Sequence, residues 1–275
     1  MKVALIQMNA GADKTANLAV AVRLIDRAVK EEQPDLVMLP ECFTAFGGTR
    51  DAQMASAESF PDGEAYTLLK AAAARHGIFV HAGSLNERDG ERIFNTTVAF
   101  DRSGREVARY RKMHLFSITT PDGVAYDEGW LYRAGSEIVT YDLEGVTIGC
   151  TICYDLRFPE LFQALVRRGA EIIAMPAAFT LQTGKEHWEP LLRARAIETQ
   201  CFLLAPALEG AYEEDGEILH TYGHSLIVEP WGTVIARRGL GEGIVAARLD
   251  LSAVATARQR IQLAAHRRAR PVRDV

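Results

Sequence analysis

One segment, Val146–Glu160, most restricts what this chain of 275 residues can fold into. It predicts a buried strand, a sharp turn and a new helix in direct succession, with Cys153 at the junction. Apolar side chains alternate along the strand half, as in a strand with one face in a core: Val146, Ile148, Cys150 and Ile152. Pro159 suits a first helical turn because its missing N–H is not needed there. Gly169 can then end the helix in the left-handed conformation.

Cys153 is a candidate nucleophile because of this position. Backbone N–H groups in the first turn of a helix favour a negative charge, so we expect them to favour a thiolate. An isolated cysteine is more often a small buried apolar residue. Two other segments decide between these interpretations.

Two further strands each deliver a charged residue at their end. The apolar run before Glu41 fits a fully buried strand that Pro40 terminates. The segment Glu106–Lys112 is also strand-like and ends in an ammonium group. Functional groups in open α/β sheets gather beyond the carboxyl ends of the strands. We therefore expect a carboxylate, an ammonium and a thiol to be presented at these strand ends.

Three segments resemble the signature segments of the nitrilase superfamily of carbon–nitrogen hydrolases. They read Leu-Pro-Glu-Cys-Phe at 39–43, Tyr-Arg-Lys-Met-His-Leu-Phe at 110–116 and Cys-Tyr-Asp-Leu-Arg-Phe-Pro-Glu-Leu at 153–161. Their order and separations match the family, and the similarity extends from Val3 to the region of Arg267. The resemblance implies an α/β fold of four layers, an αββα sandwich, usually assembled into a homodimer or a higher homo-oligomer.

The resemblance also implies a role for each residue of a Glu–Lys–Cys triad. Cys153 attacks an amide carbonyl and forms a thioester, and Glu41 serves as general base and then as general acid. Lys112 stabilises the tetrahedral oxyanion together with the backbone N–H of Tyr154. Glu128 aligns with a second glutamate of the family, which would orient Lys112 or the substrate amide. We expect no metal ion or other cofactor to take part.

The loop at Glu128 departs from the family pattern. The family usually has Ser after this glutamate, whereas this chain has Gly129 and then the bulky Trp130. The departure concerns the shape of the loop, and therefore the choice of substrate, more than the chemistry.

The residues that follow the nucleophile indicate the amidase branch of the superfamily. True nitrilases typically continue with Trp-Glu, whereas this chain has Tyr154-Asp155. Segments 183–189, 192–201 and 222–232 resemble the branch that holds ω-amidase and deaminated glutathione amidase. We therefore predict hydrolysis of a small carboxylate-bearing amide, of the deaminated glutathione or α-ketoglutaramate type, to an acid and ammonia. An N-carbamoyl amino acid hydrolase and an aliphatic amidase are the alternatives.

Four more residues are candidates for substrate binding. Carbamoyl-amino-acid hydrolases of the superfamily have a carboxylate-binding Arg at the position of Arg157, and an Arg fork binds a carboxylate bidentately. The alternative is a salt bridge of Arg157 to Asp155 or Glu160. Phe179, Thr180 and Trp188 are candidates for the pocket wall, although aromatic residues are also ordinary core residues.

Composition limits the other possibilities. The net charge of −5 and the absence of a basic stripe argue against duplex nucleic acid as a partner. No apolar run approaches the roughly 20 residues needed to span a bilayer, and the first residues read as a strand rather than a secretory signal. Four cysteines do not make a disulfide framework in a chain of this length, which favours a reducing, cytoplasmic setting.

A single domain over residues 1–275 is expected, with the C-terminal segment of about 250–275 in a subunit contact. The basic cluster there is either a solvated end or part of that contact: Arg267, Arg268, Arg270 and Arg273. The alternation of apolar runs also predicts helices over 14–33, 66–76 and 190–199. No helix is predicted between the strands 97–100 and 106–112, so part of the sheet should be antiparallel.

Three alternatives to an amidase are weaker. Cys150 and Cys153 form a Cys-x-x-Cys pair, but residues three apart on a strand point to opposite faces, which disfavours a redox site. The seven histidines lack the spacing of zinc ligands. A catalytically silent binding scaffold would be indicated by loss of Glu41, Lys112 or Cys153, and all three are present.

Overall fold

The computed structural model describes residues 1–119, 123 and 125–267. The helices are α1 (Lys14–Glu32), α2 (Arg50–Ala55), α3 (Glu64–His76), α4 (Pro159–Arg167), α5 (Leu181–Thr199), α6 (Ser252–Arg260) and α7 (Leu263–His266). Short 3-10 turns span Glu128–Trp130 and Cys153–Arg157. The strands are β1 (Lys2–Gln7), β2 (Leu36–Met38), β3 (Phe79–His81), β4 (Leu85–Asp89), β5 (Arg92–Phe100), β6 (Glu106–Arg111), β7 (Ser117–Thr119), β8 (Ala125–Asp127), β9 (Thr140–Leu143), β10 (Val146–Cys150), β11 (Ile172–Ala174), β12 (Phe202–Ala205), β13 (Glu209–Glu214), β14 (Glu217–Tyr222), β15 (Leu226–Val228), β16 (Val234–Arg237) and β17 (Gly243–Arg248).

The first sheet has the strand order β17–β1–β2–β3–β5–β4, and β6 also pairs with β5. Strands β1, β2 and β3 are parallel and are connected by α1 and α3. Strands β5 and β6 are antiparallel, which confirms the prediction made from the missing helix between them. The sheet is therefore mixed, as a chain with both long helical crossovers and short hairpin connections requires.

The second sheet has the strand order β16–β15–β12–β11–β10–β9. Its central strands β10, β11 and β12 are parallel, with α4 and α5 as the crossover helices. Helix α4 begins at Pro159 and is followed by Gly169 with a φ of +89°, as the sequence predicted. Two separate hairpins, β7–β8 and β13–β14, complete the strand pairing of the described residues.

The two sheets pack face to face, with helices on their outer sides. In β1, Val3 and Leu5 belong to the apolar cluster shared with the second sheet, including Ile148. The alternate residues Ala4 and Ile6 belong to the cluster formed with α1 and α3. Residues that alternate along a strand face opposite sides of the sheet, so β1 is buried on both faces. The architecture is the predicted α/β fold, a four-layer αββα sandwich.

Helix α5 differs from the prediction, which began it at Pro190. The helix begins at Leu181, and the side chain of Thr180 caps it by accepting a hydrogen bond from the N–H of Thr183. Pro190 therefore lies inside the helix, where proline removes a backbone hydrogen bond. The buried side chains of Trp188 and Leu192 on either side of it belong to the core and hold the helix together.

The C-terminal prediction falls only partly on described residues. Helices α6 and α7 and Arg267 are described, whereas Arg268, Arg270 and Arg273 lie outside the described residues. Their part in a subunit contact stays a prediction. Across the described ranges, no helix combines the length and the apolar character needed to cross a membrane.

Candidate active site

Three strand ends bring Glu41, Lys112 and Cys153 together. Glu41 lies just beyond β2, Lys112 directly follows β6, and Cys153 lies just beyond β10. The Nζ atom of Lys112 is 2.8 Å from Oε1 of Glu41. Glu41 and Cys153 line the same cavity. Because β2 and β6 belong to one sheet and β10 to the other, the site is formed where the two sheets face each other.

The backbone at Cys153 adopts an uncommon conformation. Its φ of +46° lies in the left-handed region, which residues other than glycine rarely adopt. The N–H of Cys153 donates to the carbonyl oxygen of Pro176 at 2.9 Å, which ties the turn to the end of β11. The 3-10 turn then begins, and the first N–H groups of such a turn, including that of Tyr154, have no partner within it. Strained backbone that the surrounding structure maintains is typical of functional sites.

The segment that presents Glu41 depends on a close approach by Gly83. The φ of Gly83 is +56°, and a Cβ at this position would collide with the carbonyl oxygen of Pro40. Glycine therefore permits the chain after β3 to lie directly against the chain after β2. The Glu41 side chain is held in the interior as a result, with only 2% of the residue exposed.

Lys112 is buried between two carboxylates. Its Nζ atom is 2.8 Å from Oε1 of Glu41 and 2.9 Å from each oxygen of Glu128. Burial by itself would lower the pKa of the Lys112 ammonium, but the charges of Glu128 and Glu41 outweigh it and raise this pKa well above its ordinary value. Lys112 is therefore a fixed cation beside Glu41.

Cys153 is a protonated thiol in this environment. Burial and then the charge of Glu41 raise the pKa of the thiol well above its ordinary value, against the opposing effect of Lys112. The expectation that the N–H groups of the helix start favour a thiolate is therefore wrong, because the burial of the sulfur outweighs them. Glu41, whose charge contributes to this shift, lines the same cavity as the thiol and is the candidate base that would remove its proton.

Cys150, the other member of the Cys-x-x-Cys pair, lies in the apolar core with none of its surface exposed. Burial raises the pKa of this thiol to about 12. Cys150 is therefore separated from the cavity that Cys153 lines.

Glu128 is held by the 3-10 turn that it begins. Its Oε2 accepts a hydrogen bond from the N–H of Phe116 at 2.8 Å, in addition to the contact with Lys112. Burial and the charge of Glu41 raise the pKa of this carboxyl, while Lys112 opposes them. Gly129 and Trp130 occupy the same turn, and the guanidinium of Arg50 lies 4.9 Å from the centre of the Trp130 ring. The unusual loop therefore still delivers its carboxylate to Lys112, and Trp130 becomes part of the cavity wall.

The cavity has a volume of about 470 Å³, within the range of small-molecule sites. Its walls include four of the residues proposed for substrate binding, namely Tyr154, Arg157, Phe179 and Thr180. Trp188 does not line it. The Trp188 ring is 1% exposed, packs 4.8 Å from the ring of Phe179 and donates its indole N–H to the carbonyl oxygen of His224. The prediction for Trp188 is therefore wrong, because this side chain supports Phe179 from behind as a core residue.

Arg157 forms neither of the salt bridges considered from the sequence. Its two terminal nitrogens each lie 3.3 Å from Nδ1 of His187, which extends from α5. Its guanidinium lies over the rings of Tyr154 and Phe179, at 5.8 Å and 5.6 Å from their centres. Its Nε atom is buried without a hydrogen-bond partner among the described residues. Arg157 is therefore a cation on the cavity wall whose described neighbours are aromatic rings and an imidazole.

Asp155, which the sequence offered only as a salt-bridge partner, joins two of the segments that build the site. Its buried carboxylate accepts hydrogen bonds from the Tyr110 hydroxyl at 2.6 Å and from the Ile152 N–H at 2.9 Å. The N–H of His114 lies 3.1 Å from it, and the Nδ1 of the same residue 2.7 Å. Tyr110 and His114 flank Lys112, whereas Ile152 precedes Cys153. Asp155 therefore holds the segment of the ammonium against the segment of the thiol.

Metal ligands are not grouped in this part of the molecule. Among the described residues, no group of three or more His, Cys, Asp or Glu side chains is arranged to hold a metal ion. The contacts of Glu41 and Glu128 are instead with Lys112.

The carbon–nitrogen hydrolase family model matches residues 2–259. The chain is 37% identical over 269 residues to "Deaminated glutathione amidase" of Synechocystis sp., covering 96% of this chain and 97% of that protein. It is 36% identical over 279 residues to "Omega-amidase NIT3" of Saccharomyces cerevisiae, covering 98% of this chain and 93% of that protein. The crystal structure of yeast Nit3, described as a member of branch 10 of the nitrilase superfamily, superimposes with a TM-score of 0.86 at 33% identity, covering 96% of this chain and 94% of that one.

A larger relative is the nitrilase and fragile histidine triad fusion protein NitFhit of Caenorhabditis elegans, which is 37% identical over 270 residues. Its crystal structure superimposes with a TM-score of 0.88 at 36% identity. The match covers 97% of this chain but only 60% of the fusion protein sequence and 65% of the crystallised chain. This chain therefore corresponds to part of the fusion protein.

Proposed function

This chain belongs to the carbon–nitrogen hydrolase family, and from that premise we propose that it is an amidase that forms a thioester on Cys153. The observation that carries the proposal is that Glu41, which is paired with the buried ammonium of Lys112, lines the same cavity as the thiol of Cys153. A thiol whose pKa is raised by burial needs an adjacent base, and Glu41 is that base.

The first half of the reaction forms the thioester. Glu41 takes the proton of the thiol as the sulfur attacks the amide carbonyl. The negative charge that develops on the carbonyl oxygen is stabilised by Lys112 and by the backbone N–H of Tyr154. Glu41 then gives its proton to the nitrogen as the carbon–nitrogen bond breaks, and the amine leaves.

The second half restores the thiol. Glu41 takes a proton from water, and the resulting hydroxide attacks the thioester carbonyl. The carbon–sulfur bond then breaks, the acid leaves, and the sulfur regains a proton from Glu41. Glu128 stays bound to Lys112 throughout and fixes the position of its ammonium.

The substrate we propose is an amide with one carboxylate. Arg157 is the only Arg, Lys or His among the described residues that line the cavity, and we assign Lys112, which is paired with Glu41 and Glu128, to the oxyanion. The hairpin β13–β14 adds carboxylates to the wall: Glu214, Asp215 and Glu217. A second carboxylate on the substrate would meet these charges without a cation to pair with. This favours an amide of the α-ketoglutaramate type over deaminated glutathione, which carries two carboxylates.

A panel of amides tests this function. Primary amides should release ammonia, and deaminated glutathione should release an amine, so the two products are measured separately. We expect kcat/KM to be highest for short ω-amides with a single carboxylate. Hydrolysis of N-carbamoyl amino acids alone, or of neutral aliphatic amides alone, would contradict the proposal.

Replacement of Arg157 by Leu should separate acidic from neutral substrates. Loss of a hydrogen bond to a charged group costs roughly 1.5–3 kcal/mol, so KM for acid-bearing amides should rise about ten- to hundredfold. Neutral amides never use this contact and should be nearly unaffected. Arg157→Lys keeps the positive charge but loses the two-pronged guanidinium. Its KM for acid-bearing amides should lie between those of the wild type and Arg157→Leu. Equal losses on charged and neutral amides would show that Arg157 does not bind the carboxylate.

We further propose that the protein acts as a homodimer or a higher homo-oligomer in the cytoplasm. Ile197 on α5 lies against Gly232, and both Ile197 and Trp231, the residue before Gly232, are exposed apolar side chains, which supports a subunit contact. All four cysteines are free thiols, which supports a reducing compartment. Sedimentation equilibrium tests the first statement, and a monomer at micromolar concentration would contradict it.

A further inference from the structure

Asn95, in the interior of β5, contacts both charged residues that surround the thiol. Its side-chain Nδ2 lies 2.9 Å from Oε1 of Glu41. Its carbonyl oxygen accepts a hydrogen bond from the N–H of Lys112 at 2.9 Å. Asn95 has no exposed surface. We propose that Asn95 is a positioning residue for the general base, which rests on the function proposed above.

The orientation of the Asn95 amide is fixed by its partner. An ionised carboxylate only accepts hydrogen bonds, so the NH₂ group of the amide must face Glu41. The Oδ1 atom is then buried without a hydrogen-bond partner among the described residues. A buried acceptor without a partner is destabilising, and asparagine is disfavoured in strands. An apolar side chain would make this position of the strand more stable. The amide is therefore explained by its hydrogen bond to Glu41.

The contact also determines which oxygen of Glu41 is available. Oε1 of Glu41 accepts hydrogen bonds from both the ammonium of Lys112 and the amide of Asn95. The other oxygen, Oε2, is left to exchange protons with the thiol and with the leaving group. Two donors on one oxygen also stabilise the ionised carboxylate, which is the form that accepts the thiol proton. Asn95 therefore orients Glu41 and also favours its ionised form, which acts as the base.

The test compares Asn95→Leu with Asn86→Leu. Asn86 lies opposite Asn95 on β4 and is also buried, but its hydrogen bonds are to Ser56 and Tyr132. Asn95→Leu should lower kcat about ten- to hundredfold, the value of one hydrogen bond to a charged group, with little change in KM. The fall of kcat/KM on the acidic side of its pH profile, its acid limb, should move to higher pH, because the Glu41 carboxylate is then more easily protonated. Asn86→Leu should lose stability and keep the wild-type acid limb.

Alkylation of Cys153 by iodoacetamide separates failure of this proposal from failure of the proposed function. The reaction needs the thiol and its base but no amide substrate, so it reports on Asn95 even if no amide is hydrolysed. In Asn95→Leu, the fall of the alkylation rate on the acidic side of its pH profile should also move to higher pH. If that variant does not fold, the isosteric Asn95→Asp places a second carboxylate against Oε1 and should also move the limb to higher pH. An unchanged limb in the folded variant would overturn the proposal.

Discussion

Replacement of Cys153 by Ala should reduce turnover by about 10⁶-fold, the scale of loss seen when the nucleophile of a covalent mechanism is removed. The other cysteine on the cavity wall is Cys42. Burial raises the pKa of its thiol as well, and its sulfur contacts Tyr132, Ser84 and Asn95, so we do not expect it to replace Cys153. The fold should be retained, since Ala at a φ of +46° is no more strained than Cys. Steady-state assays on the best amide, with thermal unfolding of both proteins, measure this.

Cys201→Ala is the matched control for that variant. Cys201 is also buried, but it donates to the carbonyl oxygen of Ala170 at 3.1 Å and does not line the cavity. Its replacement should lower stability slightly and leave kcat close to that of wild type. Wild-type turnover by Cys153→Ala would refute the covalent mechanism.

Replacement of Lys112 by Ala should lower both catalysis and stability strongly. Removal of one oxyanion donor costs about 10²–10³ in kcat. The variant also leaves Glu41 and Glu128 close together without their shared cation, and breaking a buried ion pair costs about 3–5 kcal/mol of stability. Urea denaturation and kcat, measured on the same preparation, should both show the loss.

Glu41→Gln provides the comparison for Lys112→Ala. It keeps the shape of the side chain but removes the base, so kcat should fall about 10²–10⁴-fold. Because the two residues act on one step, the double variant should be little worse than the worse single variant. Additive losses would show that Glu41 and Lys112 do not act together, and a change below tenfold in Lys112→Ala would remove it from the oxyanion site.

The strand ends were predictable because their signals are local. The apolar run that stops at Pro40 marks the end of the buried strand before Glu41, and the strand-like segment 106–112 places Lys112 directly after β6. Helix α5 was harder, because Pro190 normally marks a helix start. Its true start depends on the Thr180 cap and on core packing around Trp188, which local pattern does not reveal.

The contacts around the proposed catalytic residues were not predictable. Tyr110 and Asp155 are 45 positions apart, and Asn95 and Glu41 are 54 apart, so their contacts depend on the register and packing of both sheets. Asparagine within the strand-like Ile-Phe-Asn-Thr-Thr run was the one available signal for Asn95, since the residue is disfavoured there. The state of the Cys153 thiol was predicted wrongly for a related reason. The helix start is visible in the sequence, whereas the burial that outweighs it is not.

The most direct test of the account is to trap the thioester. Wild-type enzyme is mixed with a slowly hydrolysed carboxylate-bearing amide, quenched with acid and digested, and the peptide that contains Cys153 is weighed by mass spectrometry. The account predicts that this peptide gains the mass of the acyl group, that hydroxylamine removes it, and that Cys153→Ala shows no adduct on any peptide. Turnover of the amide with no adduct on Cys153 at any quench time, or an adduct on a different residue, would contradict it.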